Sequence, residues 1–362
     1  MIFIIGAGPV GCYTAYLLAK EGADVFVFEE HSSIGQPVQC TGIITDSIKG
    51  MISLDPETIS NRAGTARVYS RSNFFEAPIN DIILDRPKFD KGLAELAQGQ
   101  GARMFLNHKF IRLDDGKIVF KNLMNSALVE YPFEEGKDKL IGADGPNSRV
   151  RELINGKNKV KFLVGMQAVA KFHTDNNVEV FLGSIAPGGF GWVVPENKNT
   201  VRIGLMAKKN PRIYFDKLLG IKGIMSKNVV EIQAGLIPVY NPRLKTQMGS
   251  IYIVGDAAGQ VKATTGGGII PGLKAAECLA ESIIYGNDYE HIWKTRIGAG
   301  LWIHLNLRHI LDRFSDEDYI RLVKLCGQDK IKRIFRHHNR DKPFKLLLSI
   351  ILREPRFLAL LC

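Results

Sequence analysis

The chain has 362 residues, of which 45% are hydrophobic and 23% charged, and it carries a formal net charge of +11. That length exceeds what one hydrophobic core usually serves, so two joined domains are expected, and the composition is that of an ordinary globular protein rather than a disordered one. No apolar run reaches the roughly 18 residues needed to span a bilayer, and Cys12, Cys40, Cys278, Cys326 and Cys362 are odd in number, scattered and without a CxxC pair, which suits a reducing cytoplasm better than a disulfide scaffold.

Residues 1–5 are continuously apolar and predict a buried strand. With the apolar start used in this way, and with no basic leader or cleavage site, no signal peptide is expected. Gly6-x-Gly8-x-x-Gly11 follows, then a helix from Pro9 to about Lys20, a second strand over 24–28, and the acid Glu29. In this order the glycines fit a phosphate-cradling βαβ unit: Gly6 for the tight turn, Gly8 for close backbone approach, Gly11 for helix–strand packing. The helix start offers unpaired N–H groups and a positive dipole end to an anion. Glu29 stands about 20 residues beyond the glycines, where a carboxylate accepts both hydroxyls of an adenosine ribose. The same charge repels a 2′-phosphate, so FAD or NAD is expected rather than NADP.

A turn-rich loop over 35–45 comes next, then short strands over 66–70 and 74–77. A helix beginning near Pro87, with Leu93, Leu96 and Ala97 as its apolar stripe, stops at Gly99 and Gly101. A β-meander is expected over 105–133, turning at Asp115-Gly116, and a buried strand then ends in Gly142-Ala143-Asp144-Gly145. Residues 164–239 read mainly as strands of an antiparallel sheet with one covered face. Residues 249–283 give strand, glycine-rich loop and helix, and the remainder reads as helices broken at Pro343 and Pro355.

The histidines show no metal spacing, and no metal site is expected. From Arg321 onward eleven bases face three acids (Asp329, Asp341, Glu354). Such a tail is either a solvated helical face or a surface for something anionic. Within it, Phe344, Leu347, Leu348 and Ile351 follow helical spacing beside a polar stripe of Lys342, Lys345, Ser349 and Arg353. This segment either lies in a bilayer interface or packs on the protein's own core.

Three further motifs accompany the first glycines. Arg86 precedes a helix, where its guanidinium can reach a phosphate or the cofactor edge. Asp256, in Gly255-Asp256-Ala257-Ala258-Gly259, stands at a strand's C-terminal end, where α/β sheets bind ligands. Gly266-Gly267-Gly268 opens a helix and offers backbone N–H groups to an electron-rich ring edge. In this order the set resembles the FAD-binding motifs of glutathione-reductase-like flavoproteins, in the branch shared by aromatic hydroxylases and geranylgeranyl reductases. Gln36-Pro37-Val38-Gln39-Cys40-Thr41-Gly42 resembles the PxxCxG segment of the reductases, and Phe190-Gly191-Trp192-Val193-Val194-Pro195 resembles their YxWxFP segment. The stretch 255–268 is similar to GDAAGxVxPTTGGG. The chain departs from the pattern at Phe190, Val194 and Ala263, and these departures bear on substrate identity rather than on fold.

The resemblance implies an α/β, Rossmann-like, three-layer FAD-binding domain with an inserted antiparallel β-sheet substrate domain and a C-terminal helical segment. The expected boundaries are 1–62, 80–103, 138–155 and 248–290 for the first, 63–79, 104–137 and 156–247 for the second, and 291–362 for the third. It further implies non-covalent FAD. Gly6, Gly8, Val10 and Gly11 would hold the pyrophosphate, Glu29 the ribose, and Arg86 the phosphate region. Cys40, Thr41 and Gly42 would approach the isoalloxazine, Asp256 a ribityl hydroxyl, and Gly267, Gly268 and Ile269 the flavin's pyrimidine edge. Phe190, Trp192 and Pro195 would wall a tunnel for an isoprenoid chain. Trp192 equally suits plain core packing. Cys40 is either a small buried thiol or a flavin-proximal group, with Cys278 as its candidate partner, and no proton donor is assigned.

The implied activity is saturation of geranylgeranyl double bonds by an FAD-dependent reductase acting on archaeal-type membrane glycerophospholipids, with NAD(P)H or ferredoxin as electron donor. A flavin monooxygenase and a non-catalytic flavin- and lipid-binding module are the alternatives. The expected location is the cytoplasm, with contact to a membrane surface through the basic C-terminal helices. No nucleic acid is expected.

Overall fold

The computed structural model describes residues 1–157, 160–338 and 340–360; Cys362, counted among the cysteines above, lies outside them. The chain divides into two compact units, residues 1–38, 86–161 and 238–301 forming the first and 39–85, 162–237 and 302–362 the second. This differs from the boundaries expected on the sequence. Residues 104–137 belong to the first unit, because their meander packs its aromatic face on the nucleotide-type sheet. Residues 39–62 belong to the second, and the C-terminal helices from Trp302 onward join the second unit rather than standing apart.

The first unit holds a six-stranded sheet in the order Gln247–Met248, Ile251–Ile253, Lys139–Gly142, Ile2–Ile5, Val25–Phe28, Arg103–Phe105. All pairs are parallel except that made by Gln247–Met248. Ile2–Ile5 and Val25–Phe28 are buried throughout, as central parallel strands covered on both faces must be. The meander His108–Asp114, Lys117–Asn122, Leu128–Pro132 turns at Asp115 and Gly116, both at positive φ, between its first two strands. Its Phe120 ring stacks 4.0 Å from that of Phe28, in a cluster with Phe3, Phe26, Phe110 and Phe133. The helix Pro9–Lys20 packs on the sheet and against the helices Arg86–Gly99 and Ile269–Tyr285.

The second unit is built on an eight-stranded sheet ordered Val229–Pro238, Phe162–Lys171, Thr200–Ala207, Phe190–Asn197, Val178–Leu182, Ile59–Ser70, Asn73–Leu84, Ile43–Thr45. The short strands expected near 66 and 74 are the tip of a hairpin of 12-residue arms. Register shifts between Ile59 and Asn61 and between Ala63 and Thr65 interrupt the alternation that would have extended them on sequence. The helix Pro211–Ile221, not anticipated, covers one sheet face through Phe215 and Leu218 on Val193, Val201, Ile203 and Leu205. The C-terminal helices Asp316–Cys326, Asp329–His337 and Pro343–Arg353 pack through Val323, Ile334 and Ile350 on Phe75 and Ala77 of the hairpin.

Candidate functional site

In the first unit the glycines shape an anion cradle, each for a different reason. Gly6 stands at φ +101°, and a Cβ there would meet the Ala143 carbonyl at 2.4 Å. A Cβ on Gly11 would lie 2.0 Å from the Gly6 oxygen, so only glycine lets the helix Pro9–Lys20 start this close to the strand. Gly8 differs: it caps the helix in an ordinary extended conformation and a Cβ would meet nothing within 4 Å. The space in front of it is the open mouth of the cradle, where a pyrophosphate fits against the helix N-terminus. Val10 packs beneath it, its side chain 2.6 Å from where a Cβ on Gly272 would stand and 3.1 Å from one on Gly255.

Glu29 follows the strand Val25–Phe28 and accepts from the Ala7 amide at 2.7 Å and the His31 amide at 3.0 Å. The carboxylate is thereby aimed along the cradle's edge, as a ribose ligand requires. Arg86 makes hydrogen bonds of 3.0 and 2.9 Å to Asp90 on its own helix. Asp256 sits in the turn Gly255–Ala258 after the strand Ile251–Ile253. Burial pushes its carboxyl up to about 6, with the Arg86 charge pulling the other way. A Cβ on Gly268 would meet Asp256 Oδ1 at 2.6 Å, so Asp256 and the N-cap of the helix Ile269–Tyr285 face each other directly. Gly268 thus lies directly against Asp256, with Gly267 before it and Ile269 beginning the helix. Lys262 was missed on sequence. It is buried, its carbonyl accepts the Gly266 amide at 2.8 Å, and its side chain lies against Gly267.

In the second unit two distant motifs meet on one sheet face. Trp192 pairs with Gly204, which pairs with Gln167, so these three share the face opposite the helix Pro211–Ile221. Arg202, two residues from Gly204, points the same way. The Cys40–Gly42 loop lies on this face and is fixed to it at several points. Arg202 Nη1 donates to the Cys40 carbonyl at 2.9 Å and its Nε to Glu196 at 2.5 Å. The Thr41 hydroxyl donates to Gln167 at 3.1 Å, and Gln167 donates in turn to Gln233 at 2.6 Å. The Gly42 amide donates to the Cys40 sulfur at 3.3 Å, with Gly42 at φ +77°.

Trp192 is only 9% exposed, and its indole N–H meets no hydrogen-bond partner among the described residues. Phe190 stands beside it with ring centroids 5.6 Å apart. Pro195 does not join them: it pairs with Val201, a residue of the helix-covered core, and so faces the other side. Val194 and its partner Arg202 take its place. The odd spacing between 192 and 195 carried that signal already, because strand alternation separates them. Cys278 is a fully buried thiol on the helix Ile269–Tyr285, pushed up to about 11 by burial; it and Cys40 are both free.

Comparison with known proteins joins these features to a family. Residues 4–41 match the NAD(P)-binding Rossmann-like domain. Digeranylgeranylglycerophospholipid reductase 1 of Methanothermobacter thermautotrophicus is 31% identical over 356 residues, covering 88% of both chains. The chain belongs to the digeranylgeranylglycerophospholipid reductase family. A second member, from Methanocaldococcus jannaschii, is 29% identical over 90% of both chains. A geranylgeranyl bacteriochlorophyll reductase-like protein of Thermoplasma acidophilum has the same fold, with a TM-score of 0.84 at 24% identity over 100% of this chain and 98% of that one. A flavin-dependent brominase aligns with a TM-score of 0.66 at 18% identity, covering 93% of this chain and 97% of the other.

The family's cofactor is tested by the residues themselves. An open mouth at Gly8, an acid at Glu29 and a buried acid facing a helix N-terminus at Asp256 and Gly268 suit the three polar parts of FAD in turn: pyrophosphate, adenosine ribose and ribityl chain.

Proposed function

We propose that this chain is an FAD-dependent reductase that saturates C=C bonds of the geranylgeranyl chains of archaeal-type membrane glycerophospholipids. The observation that carries the reading is the relative 31% identical over 88% of the chain, joined to a cradle with a place for each polar part of FAD. FAD would be held without a covalent bond by Gly6, Gly8, Val10, Gly11, Glu29, Asp256 and the amides of Gly267, Gly268 and Ile269. Arg86 would add positive charge near the phosphates. Bound there, reduced FAD would supply the hydride for one alkene carbon, and a proton would complete the other.

The protein's own task is positioning and exclusion of water. A prenyl chain offers almost nothing to hydrogen-bond, so it is located by apolar walls, here Phe190, Trp192 and Val194. Cys40, Thr41 and Gly42 are the residues assigned to the isoalloxazine, and the bonds from Arg202 and Gln167 hold them in one position. A reacting carbon must be kept about 3–3.5 Å from its hydride donor, so a fixed loop matters. Lys262, buried beside Gly267, would stabilise negative charge at the ring's pyrimidine edge.

The electron donor in this reading is NAD(P)H or a ferredoxin, whose acidic surface suits a chain of net charge +11. Contact with an anionic membrane surface through the basic C-terminal helices belongs to the same reading. No helix among the described residues is long and apolar enough to cross a membrane. Mass spectrometry of the purified protein and of any lipid purified with it tests the proposal. FAD with a geranylgeranyl ether lipid is expected. A colourless protein that takes up no FAD on incubation refutes it, and oxygen uptake with a hydroxylated product would return the monooxygenase reading.

A further inference from the structure

The helix Pro343–Arg353 carries more apolar surface than the second unit covers. Pro343 and Ile350 are buried against the body, and Leu346 packs partly with them. At about 100° per residue, Phe344, Leu348 and Leu352 form a separate row on the outward side. They are 65%, 48% and 73% exposed. The stripe of Phe344, Leu347, Leu348 and Ile351 therefore divides: Leu347 and Ile351 turn partly inward, and the others stay in solvent with Leu352. Exposed Lys345 stands beside this row, and the exposed side chains of Lys342 and Arg353 lie at the helix's two ends.

The face is rigidly mounted. Before the helix, Arg340 donates to the buried Asp81 at 2.6 Å, and Asp341 accepts from Ser47 at 2.9 Å and from Thr45. Thr45 and Asp81 are themselves paired across the sheet. After the helix, the buried Glu354 accepts from Arg356 at 2.7 Å and Lys330 at 2.8 Å, bonds that hold its carboxyl well below the usual carboxylate range. Two of the three acids in the tail are thus bonded internally, and the outward charge around the apolar row is basic.

We infer that this face docks on an anionic lipid bilayer, with Phe344, Leu348 and Leu352 entering the boundary between headgroups and acyl chains and Lys342, Lys345 and Arg353 meeting lipid phosphates. The choice of a bilayer over an acidic protein rests on the lipid substrate proposed above, and so deepens that reading. An 11-residue helix extends only about 16 Å, half a bilayer core, so it lies in the plane of the interface. One side of the helix is held by protein, which fixes the depth to which the other can enter.

Flotation on density gradients with phosphatidylglycerol vesicles, and with phosphatidylcholine vesicles as reference, tests this without any turnover, so its outcome is independent of whether the chain reduces a prenyl chain. The wild-type chain should float with the anionic vesicles. Triple replacement F344S/L348S/L352S, at exposed positions that leave the core intact, should reduce the bound fraction about tenfold or more. Lys345→Gln with Arg353→Gln should weaken binding to the anionic vesicles and leave the weak binding to phosphatidylcholine as it is. A wild-type chain that stays at the bottom, or a folded triple variant that floats as well as the wild type, overturns the proposal. So does a concentration-dependent dimer, seen by sedimentation, that the triple replacement abolishes, since the row would then be covered by a second copy.

Discussion

Replacing Arg202 by Met removes the clamp on the Cys40 loop, and the structure sets the size of the effect. Two charge-assisted hydrogen bonds disappear, to the Cys40 carbonyl and to Glu196. Each such bond is worth about 1.5–3 kcal/mol net, and a buried partner left alone costs more. Glu196 retains 18% side-chain exposure and can be hydrated again, so the lower end applies, a loss of about 3 kcal/mol in total. At about 2–4 °C per kcal/mol, Tm should fall by roughly 6–12 °C. A general loss of stability would not single out one thiol, whereas loss of the clamp should. Losing the bond at the Cys40 carbonyl, about 1.5 kcal/mol, should raise the population of the opened loop about tenfold. The assay is alkylation of the flavin-free protein by iodoacetamide, followed by mass spectrometry of each cysteine peptide. Cys12, Cys278 and Cys326 are buried and serve as internal references. Arg202→Lys, with charge but a single prong, should restore part of the protection. An alkylation rate at Cys40 within about twofold of wild type in Arg202→Met would refute the clamp.

Gly8→Ala should leave the Tm of the flavin-free protein unchanged, because its Cβ meets nothing within 4 Å, yet weaken FAD binding, titrated by fluorescence quenching, about tenfold or more through intrusion on the pyrophosphate. Gly11→Ala should instead cost about 3 kcal/mol of stability, since its Cβ would lie 2.0 Å from the Gly6 oxygen. Asp256 gives a pH signature. Its carboxyl is raised to about 6 by burial, so ionisation costs the flavin-free protein stability as pH rises from about 4 through about 6. A ribityl hydroxyl donating to the carboxylate favours the ionised form, so FAD affinity should climb between pH 5 and pH 7, and Asp256→Asn should flatten that rise. Lys262→Met should lower the flavin midpoint potential by about 30 mV, equivalent to about 1.4 kcal/mol for a two-electron couple, measured by dye equilibration; an unchanged potential would remove Lys262 from the site.

The nucleotide half was legible because its signals are local. Gly6, Gly8 and Gly11 answer to backbone geometry within one turn, and Glu29 follows at a fixed distance along the next strand. The helix at Arg86 and the turn at Asp115-Gly116 were equally local. What failed to show was long-range. Arg202 looks like any strand arginine until the sheet register brings it beside Cys40, 162 positions away. Gln167 and Gln233 are ordinary polar residues until they pair as neighbours on adjacent strands. Lys262 is hidden in a loop whose fold depends on Gly266 and Gly267. The helix Pro211–Ile221 starts from Asn210 in the left-handed region, a cap with a weak sequence signature, amid strands that dominate the pattern around it. Pro195 parts from Trp192 for the opposite reason: the motif is contiguous in sequence, but period-2 alternation splits its members between two faces.

The most direct test of the reductase reading is an anaerobic single turnover. Protein loaded with FAD and photoreduced is mixed with a digeranylgeranylglycerophospholipid in detergent, while the flavin absorbance is followed and the lipid is weighed by mass spectrometry. Prompt reoxidation with a gain of two hydrogens for each bond saturated is the expected result. Flavin that stays reduced, with the lipid mass unchanged, would contradict the account.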